Sequence, residues 1–229
     1  MNALIWNIRS VNTKKAFKRL LSMHRKHRFF LIGLMEPFQQ PYKLDSYRRR
    51  LGLETALCNV LGKIWAFVDA EYEVNVLVDS VQQITLKLSN SNNNTVMIGT
   101  LVYAKCDRTE RIELWESLYH LASDMTLPWL VGGDFNVIVH EEEKYGGLPV
   151  TLNEVEAFRH CIQSCNLSDL GYKGNIFTWW NGRGEDDCVF KRLDKCLGSF
   201  ELQQLFPGLE ITHFIKCGSD HSPLLLECK

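Results

Sequence analysis

At 229 residues, with 45% apolar and 23% charged side chains, the chain has the make-up of an ordinary globular protein, either one large α/β or β-rich domain or two small ones. No stretch approaches the roughly 20 apolar residues of a membrane span, and the opening Met1-Asn2-Ala3-Leu4-Ile5-Trp6-Asn7 has neither the basic leader nor the cleavable apolar region of a signal peptide. The formal net charge of −1 hides an asymmetry: residues 1–50 hold 12 Lys/Arg against 2 Asp/Glu, and the remainder, by subtraction from 26 and 27, holds 14 against 25.

Ala3-Leu4-Ile5-Trp6 is wholly apolar and ends on Asn7, the pattern of a buried strand that delivers a polar residue at its tip. After the start signal Asn12-Thr13, Phe17, Leu20 and Leu21 fall at helical spacing among Lys14, Lys15, Lys18 and Arg19. Such a basic cluster fits either a polyanion or the solvated face of one amphipathic helix. Residues 29–35 form a second buried strand; it ends on Glu36, and Pro37 stops it. Apolar runs at 64–68, 74–78 and 84–88 then predict successive antiparallel strands, with a hairpin loop over 89–94 and a return over 96–103.

Ile112, Trp115, Leu118, Tyr119 and Ala122 predict a helix over 108–123. The third buried strand, 129–133, ends on Asp134-Phe135-Asn136. A loop over 141–149 leads to a helix at 152–164, followed by strand-like segments at 177–180 and 189–197, a short helix at 199–205 and a closing segment at 218–226. No repeat or linker interrupts the chain, so a single domain over 1–229 is expected. The eight cysteines are scattered; Cys161 and Cys165 share a helix face, but no histidine pair follows at zinc-ligand spacing, and free thiols in a reducing compartment are expected.

The recurring feature is chemical. Apolar strands end on, or just before, Asn7, Glu36, Asp134, Asn136, Asp194, Asp220 and His221. In a sheet-based fold strand ends gather at one edge, where these side chains can converge. Carboxylates and amides without clustered Cys or several His favour Mg2+ or Mn2+ over zinc. A hard cation beside a positioned imidazole suits phosphodiester hydrolysis. There is no Gly-x-x-x-x-Gly-Lys loop and no Gly-x-Ser-x-Gly elbow, which argues against a P-loop nucleotidase and an α/β-hydrolase.

Trp6-Asn7, Met35-Glu36, Gly133-Asp134-Phe135-Asn136, Arg192-Leu193-Asp194 and Ser219-Asp220-His221 stand in the order and spacing that resemble the exonuclease–endonuclease–phosphatase superfamily, across essentially the whole chain. With residues 111–116 and Phe177-Thr178-Trp179, the chain looks most like the N-terminal endonuclease domain of plant LINE-type (non-LTR) retrotransposon polyproteins. The resemblance implies a four-layer α/β sandwich, two mixed β-sheets packed together and flanked by helices. It implies an Mg2+- or Mn2+-dependent endonuclease that nicks one DNA strand to leave a 3′-hydroxyl, acting in the nucleus beside a reverse-transcriptase domain of the same polyprotein, with no membrane partner.

Carried over by position, Glu36 resembles the metal-binding glutamate, Asn7 the amide between metal and phosphate, and Asp220 a second acid on the metal side. Asp134 resembles the carboxylate that aligns or deprotonates water and Asn136 its orienting amide. His221 resembles the imidazole on the scissile phosphate, Asp194 its orienting carboxylate, and Tyr103 the tyrosine near the leaving group. Asp134 and His221 both remain open as the base. Arg9, Lys14, Lys15, Thr178 and Trp179 are expected nucleic-acid contacts. Arg9 also departs from the repair-type enzymes, which carry an acid at that place. Two other readings stay open: a phosphatase or phosphodiesterase of the same superfamily acting on another phosphate ester, and an inactive retroelement remnant that only binds DNA.

Overall fold

The computed structural model describes residues 1–90, 92 and 94–229, so the loop expected over 89–94 falls, at Ser91 and Asn93, partly outside the described residues. In chain order the strands begin with β1 (Asn2–Asn7), β2 (Phe29–Met35), β3 (Thr55–Cys58), β4 (Ile64–Val68), β5 (Glu73–Asp79), β6 (Gln83–Asn90), β7 (Thr95–Tyr103) and β8 (Trp129–Asp134). They continue with β9 (Lys144–Tyr145), β10 (Leu167–Asp169), β11 (Lys173–Gly174), β12 (Trp179–Trp180), β13 (Phe190–Lys191), β14 (Asp194–Ser199), β15 (Glu210–His213) and β16 (Leu224–Glu227). The helices are α1 (Lys14–His27), α2 (Leu44–Leu51), α3 (Ile112–Ser123), α4 (Leu152–Ser164) and α5 (Phe200–Leu205).

Among the described residues, one sheet runs β11-β15-β16-β1-β2-β4-β3 and a second runs β10-β14-β8-β7-β6-β5, with a small ribbon β12-β13-β9 beside them. Both large sheets are mixed: β1 is parallel to β2 and β7 to β8, and their other neighbours are antiparallel apart from the short β11–β15 pair. The alternation of β1 shows how the layers form. Leu4 and Trp6 pack outward with Ala16, Phe17 and Leu20 of α1 and Tyr47 and Leu51 of α2. Ala3 and Ile5 pack inward with Leu101 and Leu130 of the second sheet. That sheet turns Val102, Trp129 and Val131 to Leu114 and Trp115 of α3 and Phe158 of α4. Both faces of β1 and β2 are therefore covered, which is why their sequences are apolar without alternation. Full burial of a side chain such as Leu20 contributes about 2 kcal/mol. The result is a layered α/β sandwich, helices–sheet–sheet–helices, as expected.

Local chemistry moves some boundaries. The helix expected from 108 begins at Ile112, because the Asp107 carboxylate accepts the Thr109 and Glu110 amides and holds a non-helical turn. The strand expected over 189–197 divides at Arg192-Leu193, where the Arg192 amide donates to the Glu143 carbonyl and the Leu193 amide to the Thr178 hydroxyl. Helix α2 and strands β3, β9, β10, β11 and β15 were not expected from the sequence.

Register sets the position of the site. Asn7 pairs with Met35, one residue before Glu36; Tyr103 pairs with Asp134, and Asp134 with Asp194. The parallel strands β1, β2, β7 and β8 all bring their C-terminal ends to this edge. The sheets approach closely here because Gly132 has no side chain: a Cβ on it would lie 2.3 Å from Ile5 Cδ1 of the facing sheet. The next residue, Gly133, has φ +151, and a Cβ there would lie 1.9 Å from the Val102 carbonyl oxygen.

Two substitutions separate these constraints. Gly133→Ala meets backbone and a strained φ together, and is expected to lower unfolding free energy by about 3 kcal/mol or more. Gly132→Ala meets only the end of a side chain that can rotate, and is expected to cost about 1–2 kcal/mol. Urea unfolding followed by tryptophan fluorescence measures both; equal losses contradict the assignment.

Candidate active site

His221 follows the loop at Gly218 and leads into β16; its Nδ1 lies 2.8 Å from Asp194 Oδ2 and its Nε2 3.8 Å from Asp134 Oδ2. All three groups are almost wholly buried. Burial disfavours the imidazolium, but the two carboxylates outweigh it and raise the His221 pKa to about 9. Asp134 shifts up as well, to about 6, chiefly because burial penalises its charge; Asp194 adds repulsion, and His221 and the Asn7 hydrogen bond offset only part of this. At neutral pH the arrangement is thus an imidazolium bound to Asp194 beside a carboxylate that is comparatively easy to protonate. Adjacency in sequence is misleading: the carboxylate bonded to His221 is Asp194, 27 residues upstream, and not Asp220.

Asn7 joins this trio to the opposite sheet. Its Nδ2 donates to Asp134 Oδ2 and to Glu36 Oε2, each at 2.9 Å. Glu36 also accepts hydrogen bonds from the Tyr103 hydroxyl and, at 3.0 Å, from Arg9 Nη1. Burial works against the Glu36 charge, yet these three donors hold its carboxyl below the ordinary value. Burial first, and then the bond to Glu36, push the Tyr103 phenol upward, so it stays a protonated donor. Asp220 lies on the same side, with Oδ1 3.3 Å from Arg9 Nε and Oδ2 accepting from Trp179 Nε1 at 3.2 Å. Asn136 has φ +51; its amide donates to Asp134 Oδ1 at 3.0 Å, and its side chain is anchored on the Ala104 carbonyl at 2.7 Å.

Two donor sets suit a divalent ion. Asp134, Asp194 and His221 offer three ligand atoms within 4.8 Å of one another. The other set surrounds Asn7: its Oδ1 is buried with no hydrogen-bond partner and belongs to a side chain that bridges the carboxylates of Glu36 and Asp134. An orphaned carbonyl oxygen among carboxylates has the oxygen chemistry that Mg2+ or Mn2+ takes.

The expected nucleic-acid contacts divide. Lys14 and Lys15 are exposed at the start of α1, which packs against the Gly218 loop: a Cβ on Gly218 would touch the Ala16 backbone. Trp179 is half-buried, bonded to Asp220 and bridged through its backbone to His221. Thr178 is fully buried, and its hydroxyl accepts the Leu193 and Asp194 amides, both at 3.0 Å, so it fixes Asp194 from behind. A cleft of about 360 Å³ opens beside Asn136, with Arg111, Lys144 and Lys191 among its lining residues.

Several positioning residues escaped the sequence reading. Ser219 donates to the Asn7 carbonyl at 2.7 Å and accepts the His221 amide at 3.1 Å, and Trp6 Nε1 donates to the His221 carbonyl. Arg192 bridges Glu143 and Asp169, while the buried Lys195 ammonium lies 3.0 Å from Glu143. This network pins the loop before β9 to the start of β14. Strand-tip polarity alone carries no sign of these partners, since they come from loops and from the interior of a strand.

No family model and no curated protein matches the chain. Solved structures do. The endonuclease domain of TRAS1, a telomere-specific non-LTR retrotransposon, aligns with 100% of this chain and 98% of its own at TM-score 0.74 and 13% identity. The chain has the exonuclease–endonuclease–phosphatase fold. An AP endonuclease from Archaeoglobus fulgidus aligns at TM-score 0.77 and 13% identity, over 100% of this chain and 99% of that one. A 3′-5′ exonuclease from Neisseria meningitidis aligns at 0.74 and 17%, over 100% of both. Within this fold Asp134, Asp194 and His221 form a buried cluster whose ligand atoms could hold a metal ion.

Thr178 tests the positioning of Asp194. Thr178→Val keeps the shape but strands two buried amides, and is expected to cost about 2 kcal/mol or more in urea unfolding. Thr178→Ser, which keeps the hydroxyl, is expected to retain most of that stability. Equal losses in the two variants contradict the role given to the hydroxyl.

Proposed function

We propose that the protein is a divalent-metal-dependent DNA endonuclease that nicks one strand and leaves a 3′-hydroxyl, working as the nicking module of a longer polyprotein with a reverse-transcriptase domain. The observation that carries this reading is the convergence, across two sheets, of Asn7 and Glu36 with Asp134, Asp194 and His221. Exposed Lys14 and Lys15 beside the Gly218 loop support a polyanionic substrate, as does the cleft bearing Lys144 and Lys191. Similarity to a retrotransposon endonuclease domain and to an AP endonuclease supports DNA as that polyanion.

Glu36 would hold the ion, with Asn7 Oδ1 and Asp220 beside it, and the ion's chemistry is to neutralise phosphate charge. Asp134 aligns the attacking water and takes its proton. The raised His221 pKa supports this choice, because an imidazolium has no free nitrogen to act as a base. Asp194 keeps the His221 ring oriented, and its Nε2–H is free to donate to a non-bridging oxygen of the scissile phosphate. Water oxygen bonds to phosphorus as the bond to the 3′ oxygen breaks, and that oxygen takes a proton from solvent to become the 3′-hydroxyl. Tyr103 stays protonated and so can donate to the reacting phosphate; Asn136 keeps Asp134 in place.

Supercoiled plasmid with Mg2+ is expected to convert to nicked circles, and EDTA to stop the conversion. Glu36→Ala and His221→Ala are each expected to reduce the rate by about 100-fold or more. If the folded wild type nicks no faster than these variants, the endonuclease reading fails; turnover of soluble phosphate esters in its place redirects it to a phosphatase. The pH–rate profile is expected to be a bell. Activity rises as Asp134 loses its proton near about pH 6, and falls as His221 loses its proton near about pH 9. A rate that keeps rising past about pH 9 contradicts the role of the imidazolium.

A further inference from the structure

Arg9 holds the place where a cation is wanted. Its Nη1 lies 3.0 Å from Glu36 Oε2 and its Nε 3.3 Å from Asp220 Oδ1, so one guanidinium spans the two acids on the far side of Asn7 from His221. Glu36 Oε2 already accepts from Asn7, and the Arg9 contact completes it. The backbone is bent to make this pair: Arg9 has φ +51 and Ser10 φ +127, while Glu36 has φ +49 and Phe38 φ +44. Left-handed conformations at four residues without glycine are costly and persist where the surroundings enforce them. Here the enforcing contacts include the ion pairs and the Phe38 ring, which lies 5.6 Å from the Arg9 guanidinium carbon. Yet the guanidinium is not locked in, because the Arg9 side chain is 44% exposed and has a path to solvent.

We propose that Arg9 is a built-in counter-ion that a divalent cation must displace from Glu36 and Asp220, so that the two acids are partly neutralised before the ion binds and the metal affinity is set by competition with the arginine. The charges favour exchange over joint occupation. Two carboxylates and one guanidinium leave a net −1; adding a divalent ion without moving Arg9 makes the trio +1 and sets like charges against each other at short range, whereas displacement leaves the ion neutralised by the two acids. Given the ion at Glu36 proposed above, Arg9 tunes metal occupancy and selects against weakly binding cations.

The test is Mn2+ binding to the intact chain, followed by electron paramagnetic resonance of the free ion and by calorimetry, with no substrate present. Arg9→Gln is expected to bind Mn2+ about tenfold tighter or more than the wild type. Arg9→Lys, which keeps the charge but cannot span both acids, is expected to fall between them. Glu36→Gln is expected to abolish binding. Thermal melts confirm that each variant is folded. If Arg9→Gln binds Mn2+ no tighter than wild type while Glu36→Gln abolishes binding, the ion placement stands and the counter-ion role is overturned. If Glu36→Gln leaves binding intact, the ion lies elsewhere, and both the placement and the role of Arg9 are overturned.

Discussion

The carboxamide of Asn7 joins the two halves of the site. It is fully buried at the tip of β1, and its amide nitrogen donates to Glu36 from the first sheet and to Asp134 from the second. Two carboxylates facing each other in a low-dielectric space repel, and each loses hydration; a shared neutral donor eases both costs without adding a charge. The geometry depends on features remote from the chemistry. Asn7 reaches Asp134 because Gly132 lets the sheets close at this end, and Asp134 points into the gap because Gly133 takes a conformation that a side chain at that position would block. A layered sandwich is stable without such closeness. The site requires it.

Charge in the site is then shared among paired groups. Asp194 and His221 form a direct pair; burial disfavours the Asp134 charge; Glu36 is steadied by three donors. Beneath them a second, structural network of Glu143, Asp169, Arg192 and Lys195 balances two acids against two bases. Breaking such buried pairs costs several kcal/mol even where the intact pair adds little net stability. The two networks meet at Arg192-Leu193-Asp194-Lys195, where Asp194 bonds to His221 while Arg192 and Lys195 pair with the structural acids.

Much of this was legible in the letters. Wholly apolar runs ending on polar residues located β1, β2 and β8, because strands covered on both faces carry no alternation and their ends must face the edge. The residues expected to converge, Asn7, Glu36, Asp134, Asn136, Asp194, Asp220 and His221, lie together at that edge. What was not legible has physical reasons. Helix α2 is short, with only Leu44, Tyr47 and Leu51 to mark a face, and Pro41 just before it reads as a turn. Nothing in the letters shows that the Thr178 hydroxyl completes the backbone hydrogen bonding of Leu193 and Asp194. Ser219 looked like a turn former, yet it ties Asn7 to His221. Arg9 appeared as one basic residue among many, and nothing in its sequence context showed that the chain bends back to lay it between two acids.

The central claim is that His221 is held as an imidazolium by Asp194 within hydrogen-bonding reach of a phosphate. Its most direct test is a nitrogen-15 NMR titration of the imidazoles in the metal-free protein, with His221 assigned by its absence in His221→Gln. The account predicts a midpoint near about pH 9, with the Nδ1 proton retained below it, and a fall toward the ordinary histidine value in Asp194→Asn. A His221 midpoint at or below about 6.5 in the wild type, unmoved by Asp194→Asn, contradicts it.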